Sequence, residues 1–149
     1  MPVKPIPDGY HSITPYLVVP GVAKLLDFLK QAFGAELTHP PMTKPDGSVG
    51  HAEVKIGDSR IMMGDASGSK SGAMPAVLYL YVPDCDALYR RALQAGATSI
   101  SEPADQFYGD RTYMAIDLEG HHWTFSQAVK QVSTAQMEQA TGFKFKPLK

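Results

Sequence analysis

The stretch Tyr16-Leu17-Val18-Val19-Pro20 returns as Tyr79-Leu80-Tyr81-Val82-Pro83, and that echo decides the fold. Each copy runs into a helix-like segment that closes on a Gly-Ala pair, Gly34-Ala35 and Gly96-Ala97. Farther on, His51-Ala-Glu-Val-Lys-Ile56 lines up with Tyr113-Met-Ala-Ile-Asp-Leu118, and Arg60-Ile-Met-Met-Gly64 with His122-Trp-Thr-Phe-Ser126. The offset is about 63 residues at first and about 62 after Phe33, which has no partner in the second copy. Two copies are too few for a solenoid. The pattern predicts one domain, 1–149, of two pseudo-symmetric halves that enclose a cleft, with matching positions facing each other across it.

Within each half the periodicity changes in the same order. Ile13 to Val19 alternates as a strand does, and Val22, Leu25, Leu26, Leu29, Ala32 and Phe33 then recur at helical spacing. Gly34 suits the end of that helix. Short strands follow at Glu36 to His39, Gly50 to Ile56 and Arg60 to Gly64, with a turn at Pro45-Asp46-Gly47. The second half repeats this. Val77 to Val82 is a strand, Asp84 caps a helix from Cys85 to Gln94, and Ser99 to Glu102, Thr112 to Leu118 and Trp123 to Gln127 are strands. Pro103 to Asp110 reads as a loop. The fold class is therefore α+β: two βαβββ modules, about 13–64 and 76–127, forming a cupped mixed β-sheet with helices on its outer face. A Gly/Ser/Ala-rich linker spans about 65–75 and a tail spans 128–149, in which Ser133 starts a short helix.

Composition narrows the function classes. With 14 Lys and Arg against 15 Asp and Glu, the formal charge is −1, which gives no basic footprint for nucleic acid. Neither a signal peptide nor a membrane span is legible, and a single cysteine fits a reducing compartment, so the expected location is cytoplasmic.

Because side chains alternate along a strand, the two faces of the sheet can be separated. Leu17, Val19, Leu78, Leu80, Ile61, Met63, Trp123 and Phe125 fall on the helix side. The open side receives Thr14, Tyr16, Val18, Val77, Tyr79, Tyr81, Arg60, Met62, His122, Thr124 and Ser126. A face that mixes aromatics with a few polar groups suits a small-molecule pocket. It equally suits a solvated sheet surface or one covered by a partner subunit.

In Thr14-Pro-Tyr-Leu-Val-Val19, Gly50-His-Ala-Glu53, Phe107-Tyr-Gly-Asp-Arg111 and Asp117-Leu-Glu-Gly-His-His-Trp123, in that order and on paired βαβββ units, the chain resembles the vicinal-oxygen-chelate superfamily. That superfamily includes glyoxalase I, extradiol dioxygenases and bleomycin-resistance proteins, and the likeness is greatest to its PhnB-like branch. The resemblance implies a homodimer, and in the superfamily's enzymes a divalent metal held by His or Glu from the first and last strands of each half. Those positions are Thr14, Met62, Val77 and Thr124 here. Valine has no donor, methionine offers a soft thioether and a neutral threonine hydroxyl binds weakly. Hard ions want carboxylates, and zinc or nickel wants imidazole, thiolate or carboxylate. The expectation is that neither metal nor cofactor occupies the family position.

Other constellations offer alternatives. His51, Glu53 and His122 could form a displaced metal site or an acid–base pair, or simply sit on a wet sheet face. Asp110-Arg111 could hold an anionic ligand or brace a loop. Asp117, His122 and Ser126 supply the residue types of a hydrolase triad without a nucleophile-elbow motif. His121 is expected to face solvent, and Cys85 to pack in the core. The leading expectation is a metal-free small-molecule-binding protein whose cleft is lined by Tyr16, His51, Glu53, Met62, Tyr79, Tyr81, Arg111, His122 and Thr124. The alternative is a metal-dependent lyase, isomerase or dioxygenase with a relocated metal. Whether the chain is an enzyme stays open, as does whether the cleft forms within one chain or across two.

Overall fold

The computed structural model describes residues 4–68 and 72–147. Part of the expected linker, residues 69–71, and the last two tail residues, 148–149, lie outside the described residues.

The first module begins with β1 (Tyr16–Val19) and α1 (Val22–Phe33). Seven residues of α1 are buried on one stripe, and Gly34 ends it at φ 65°, donating back to Leu29 and Lys30. Only a residue tolerant of left-handed backbone closes a helix this way. Then come β2 (Glu36–Leu37), β3 (Met42–Thr43), β4 (Val49–Ile56) and β5 (Ser59–Asp65). Pro40-Pro41 splits what the other module builds as one strand, so β2 and β3 both pair with β4. The sheet order is β1-β5-β4-β2, with β1 parallel to β5.

The second module repeats the plan in β6 (Val77–Tyr81), α2 (Cys85–Gln94), β7 (Thr98–Asp105), β8 (Asp110–Ile116) and β9 (His122–Ala128), ordered β6-β9-β8-β7. The side chain of Asp84 caps α2 through the N–H of Ala87. Strand β7 continues through Pro103, where a loop was expected. It lies at a sheet edge, where a missing N–H is tolerated, and its register slips on both sides of Ser101. A last helix, α3 (Thr134–Thr141), is capped reciprocally by Ser133 and Gln136. No helix among the described residues is long and apolar enough to cross a membrane.

The α+β class of paired βαβββ modules holds, with a separate mixed sheet in each module. The arrangement of the halves differs from a cleft closed within one chain. Helices α1 and α2 pack together, and Phe33 reaches out of α1 to lie 4.8 Å from the Trp123 ring and 5.1 Å from the Phe125 ring, centroid to centroid. The unpaired residue of the repeat is therefore the ring that joins the modules. The core lies between the helix-covered faces of the two sheets, and the open faces are left exposed: Tyr16 at 51%, Val77 at 75%, Tyr79 at 50% and Tyr81 at 62%.

The repeat also needs one correction. Pairing places Lys55 opposite Arg60 but Ile116 opposite His122, so the β8–β9 connection is one residue longer than the β4–β5 turn. A one-residue slip exchanges the faces. His51 therefore corresponds in space to Thr112, not Tyr113, and Tyr113 is fully buried against Phe125.

Candidate functional site

On the first module's open face, Glu53 stands opposite Met62 in the register, yet it is only 1% exposed. The Pro-rich arm before β1 lies over it. The Tyr10 hydroxyl donates to Glu53 Oε1 at 2.6 Å, and Oε2 accepts from Thr38 Oγ1 at 2.6 Å and Arg60 Nη1 at 2.9 Å. Arg60 also donates to the Gly9 carbonyl and stacks over the Tyr10 ring at 4.5 Å. Burial alone would favour the neutral acid, but the bonds from Thr38, Tyr10 and Arg60 outweigh it and hold the Glu53 carboxyl below its ordinary range. Both carboxylate oxygens are engaged, which removes Glu53 as a free metal ligand or general base.

Beside it, His51 Nδ1 lies 3.1 Å from the Tyr16 hydroxyl, and its ring stacks with His39 at 6.3 Å. His122 belongs to the other sheet, opposite Val77. The structure thus brings His51 to Glu53 but not His122 to either. Among the described residues, no group of three or more His, Cys, Asp or Glu side chains is placed to share an ion.

The second module's open face is built differently. Tyr79, Tyr81 and Ser126 converge on one carboxylate, that of Asp110. Tyr81 donates to Oδ2 at 3.0 Å and Ser126 at 2.9 Å, while the Tyr79 hydroxyl lies 3.3 Å from Oδ2 and 3.1 Å from Ser126 Oγ. The bond to Asp110 first, then burial, raises the Tyr81 phenol above its ordinary value and keeps its proton in place. Thr124 lies beside Tyr79 in the register. Asp110, Thr112 and Met114 share this face at the two-residue period of β8, a signal that was available to sequence but hidden by reading Asp110 as loop.

Three expectations are corrected. Arg111 does not line the open face. As the neighbour of Asp110 on a strand it points to the helix side, where Nε binds Asp86 and Nη1 binds Asp105. His121 is fully buried rather than solvent-facing: its Nδ1 meets Asp117 Oδ2 at 2.9 Å, and Trp123 Nε1 donates to the same oxygen. Burial would raise the Asp117 pKa, but these bonds hold it low. The hydrolase constellation also dissolves, because Asp117 is committed to His121 and Trp123 while Ser126 bonds Asp110. Cys85 is buried as expected, and burial pushes its thiol up to about 11, leaving it unreactive.

Among the described residues, neither of the two main cavities gathers the four family metal positions. A cavity of about 150 Å³ where the chain enters β1 beside β6 includes Thr14, Arg60, Leu78 and Tyr79 but not Met62, Val77 or Thr124. A larger groove of about 620 Å³ runs between the β4–β5 turn and β6 with α2, touching Ser59, Tyr79, Tyr81, Asp84 and Arg91. By donor chemistry, two threonines, a methionine and a valine do not suit a divalent ion.

Paired βαβββ modules with this open-faced sheet define the class. The chain belongs to the Glyoxalase/Bleomycin resistance protein/Dioxygenase superfamily, whose family model matches residues 9–125. An uncharacterised protein of Mycobacterium bovis is 37% identical over 140 residues, covering 87% of this chain and 91% of its own. Among solved structures, TioX from Micromonospora sp. ML1 superposes with a TM-score of 0.69 at 24% identity, over 80% of this chain and 99% of that one. A gene product of Arabidopsis thaliana gives 0.64 at 21% identity, over 78% and 98%. At these identities the two structures attest the fold.

Proposed function

We propose that this chain is a small-molecule-binding protein of its superfamily, in the PhnB-like manner, that works without a metal at the family position and pairs as a homodimer. One observation carries the reading: the open faces expose Tyr16, Tyr79 and Tyr81 beside ordered polar groups, while the inherited ligand positions hold Thr14, Met62, Val77 and Thr124. Aromatic surface with a few placed polar atoms is what a small ligand needs. Ile13 at 84% and Val77 at 75% exposed extend the apolar surface, which favours cover by a second copy and a cleft shared between chains.

Metal analysis of protein purified without chelator, joined to a thermal-shift screen of small acids, amines, aromatics and antibiotics, tests this. The expected result is substoichiometric metal and at least one compound that raises the melting temperature with its concentration. Stoichiometric Zn, Ni, Mn or Fe with activity lost on chelation would instead favour the lyase, isomerase or dioxygenase reading.

A further inference from the structure

Asp110 is 8% exposed, and the side chains that bond its carboxylate among the described residues are all hydroxyls. No lysine, arginine or histidine among the described residues forms an ion pair with it. The adjacent Arg111 is turned away and held by Asp86 and Asp105. This is unusual for a nearly buried carboxylate, because desolvated charges are ordinarily paired. The buried carboxylate on the first module's open face, Glu53, has Arg60 at 2.9 Å.

The cluster has also directed its donors inward. Tyr81 and Ser126 give their protons to Oδ2, and the Tyr79 proton is shared between Oδ2 and Ser126 Oγ. What remains for a ligand is acceptors: Asp110 Oδ1, which no hydrogen bond among the described residues reaches, and the phenol lone pairs. Tyr79 and Tyr81 stand 5.3 Å apart, centroid to centroid, inclined at 51°, and both are at least half exposed. Two tilted aromatic faces beside an unneutralised carboxylate attract a positive charge and repel a negative one. The groove of about 620 Å³ that Tyr79 and Tyr81 help to line gives room for a larger body, and its wall sets Asp58 and Asp84 against one guanidinium, that of Arg91, which donates to the Gln31 carbonyl.

The geometry points to an organic cation as the ligand class of this face: an ammonium group carried on an apolar or aromatic body, its charge lodged against Tyr79, Tyr81 and Asp110. This rests on the small-molecule-binding reading and deepens it. It also reverses the sequence-based alternative in which Asp110-Arg111 receives an anion.

The test is a proton-NMR titration of the Tyr79 and Tyr81 ring resonances with three probes of one shape: benzyltrimethylammonium, neutral benzyl alcohol and anionic benzoate. Saturable shifts are expected from the cation, at an affinity about tenfold or more above benzyl alcohol, with no saturation by benzoate. Asp110→Asn, which keeps the acceptor but removes the charge, should weaken the cation about tenfold and leave benzyl alcohol unchanged. If the orphaned hydroxyls prevent that variant from folding, Tyr81→Ala at a mostly exposed ring carries the same test. Equal affinity for the neutral probe, preference for benzoate, or full retention of cation affinity in the foldable variant would overturn the cationic class while leaving small-molecule binding in place. Silence of both rings toward all three probes would overturn both readings.

Discussion

The two modules share a scaffold and treat their open faces in opposite ways. The first buries its carboxylate under the chain's own arm: Glu53 takes Tyr10, Thr38 and Arg60, and its charge is neutralised from within. The second rings its carboxylate with Tyr79, Tyr81 and Ser126, and no cation among the described residues pairs with it. On the proposed reading, one face serves as a support and the other as the receptor. That reading locates specificity in the half whose carboxylate keeps one oxygen free of hydrogen bonds and has no ion-pair partner among the described residues.

The comparison can be broken at the joint between the modules. Phe33 belongs to the first and packs in the core of the second, so Phe33→Ala should cost about 4 kcal/mol in urea unfolding, through the cavity left against Trp123 and Phe125. A loss below about 1 kcal/mol would mean that the modules do not share one core. Next in size is Arg60→Met, which strands the Glu53 charge beneath the arm. A loss of about 3 kcal/mol is expected, at the low end for a buried pair because Arg60 is 24% exposed.

The acid limb sharpens the same point. Glu53 and Asp117 both titrate below their ordinary values in the fold, so the unfolded chain takes up protons first as pH falls. Their stabilisation is complete above the ordinary carboxylate range and is lost as pH drops through their lowered folded values. Chemical unfolding from pH 7 to pH 3 should show stability falling below about pH 4.5, and falling less in Arg60→Met, whose Glu53 has lost a cause of its low pKa. The smallest effect is expected from Tyr10→Phe, which removes one donor to Glu53 and keeps the ring beneath Arg60: a drop of about 2–4 °C in melting temperature. No change would argue that the arm merely rests on the sheet.

Much of the scaffold was legible because its signals are local and periodic. The alternation in β1 and β6, the apolar stripe of α1 and the cap at Asp84 need only neighbours in sequence. The residues that distinguish the two faces depend on register and on distant chain. Glu53 looks like a free polar residue until the arm, some forty positions earlier, closes over it. Asp110 reads as the end of a loop from Pro103, yet β7 runs on to Asp105 and β8 begins at Asp110 itself, and the two-residue period then turns Asp110 to the open side and Arg111 away. The extra residue between β8 and β9 slipped the alignment of His51 by one. His121 was misjudged because nothing local announces that Asp117 will draw it into the core.

The homodimer remains the proposal on which a shared cleft depends, since the exposed faces of one chain point away from their common core. Sedimentation equilibrium of the purified protein, compared with Val77→Asp at the exposed start of β6, addresses it most directly. The account expects a species of twice the chain's 16.2 kDa that reverts toward the single chain in the variant. A wild-type protein that stays at one chain mass across the micromolar range would contradict it.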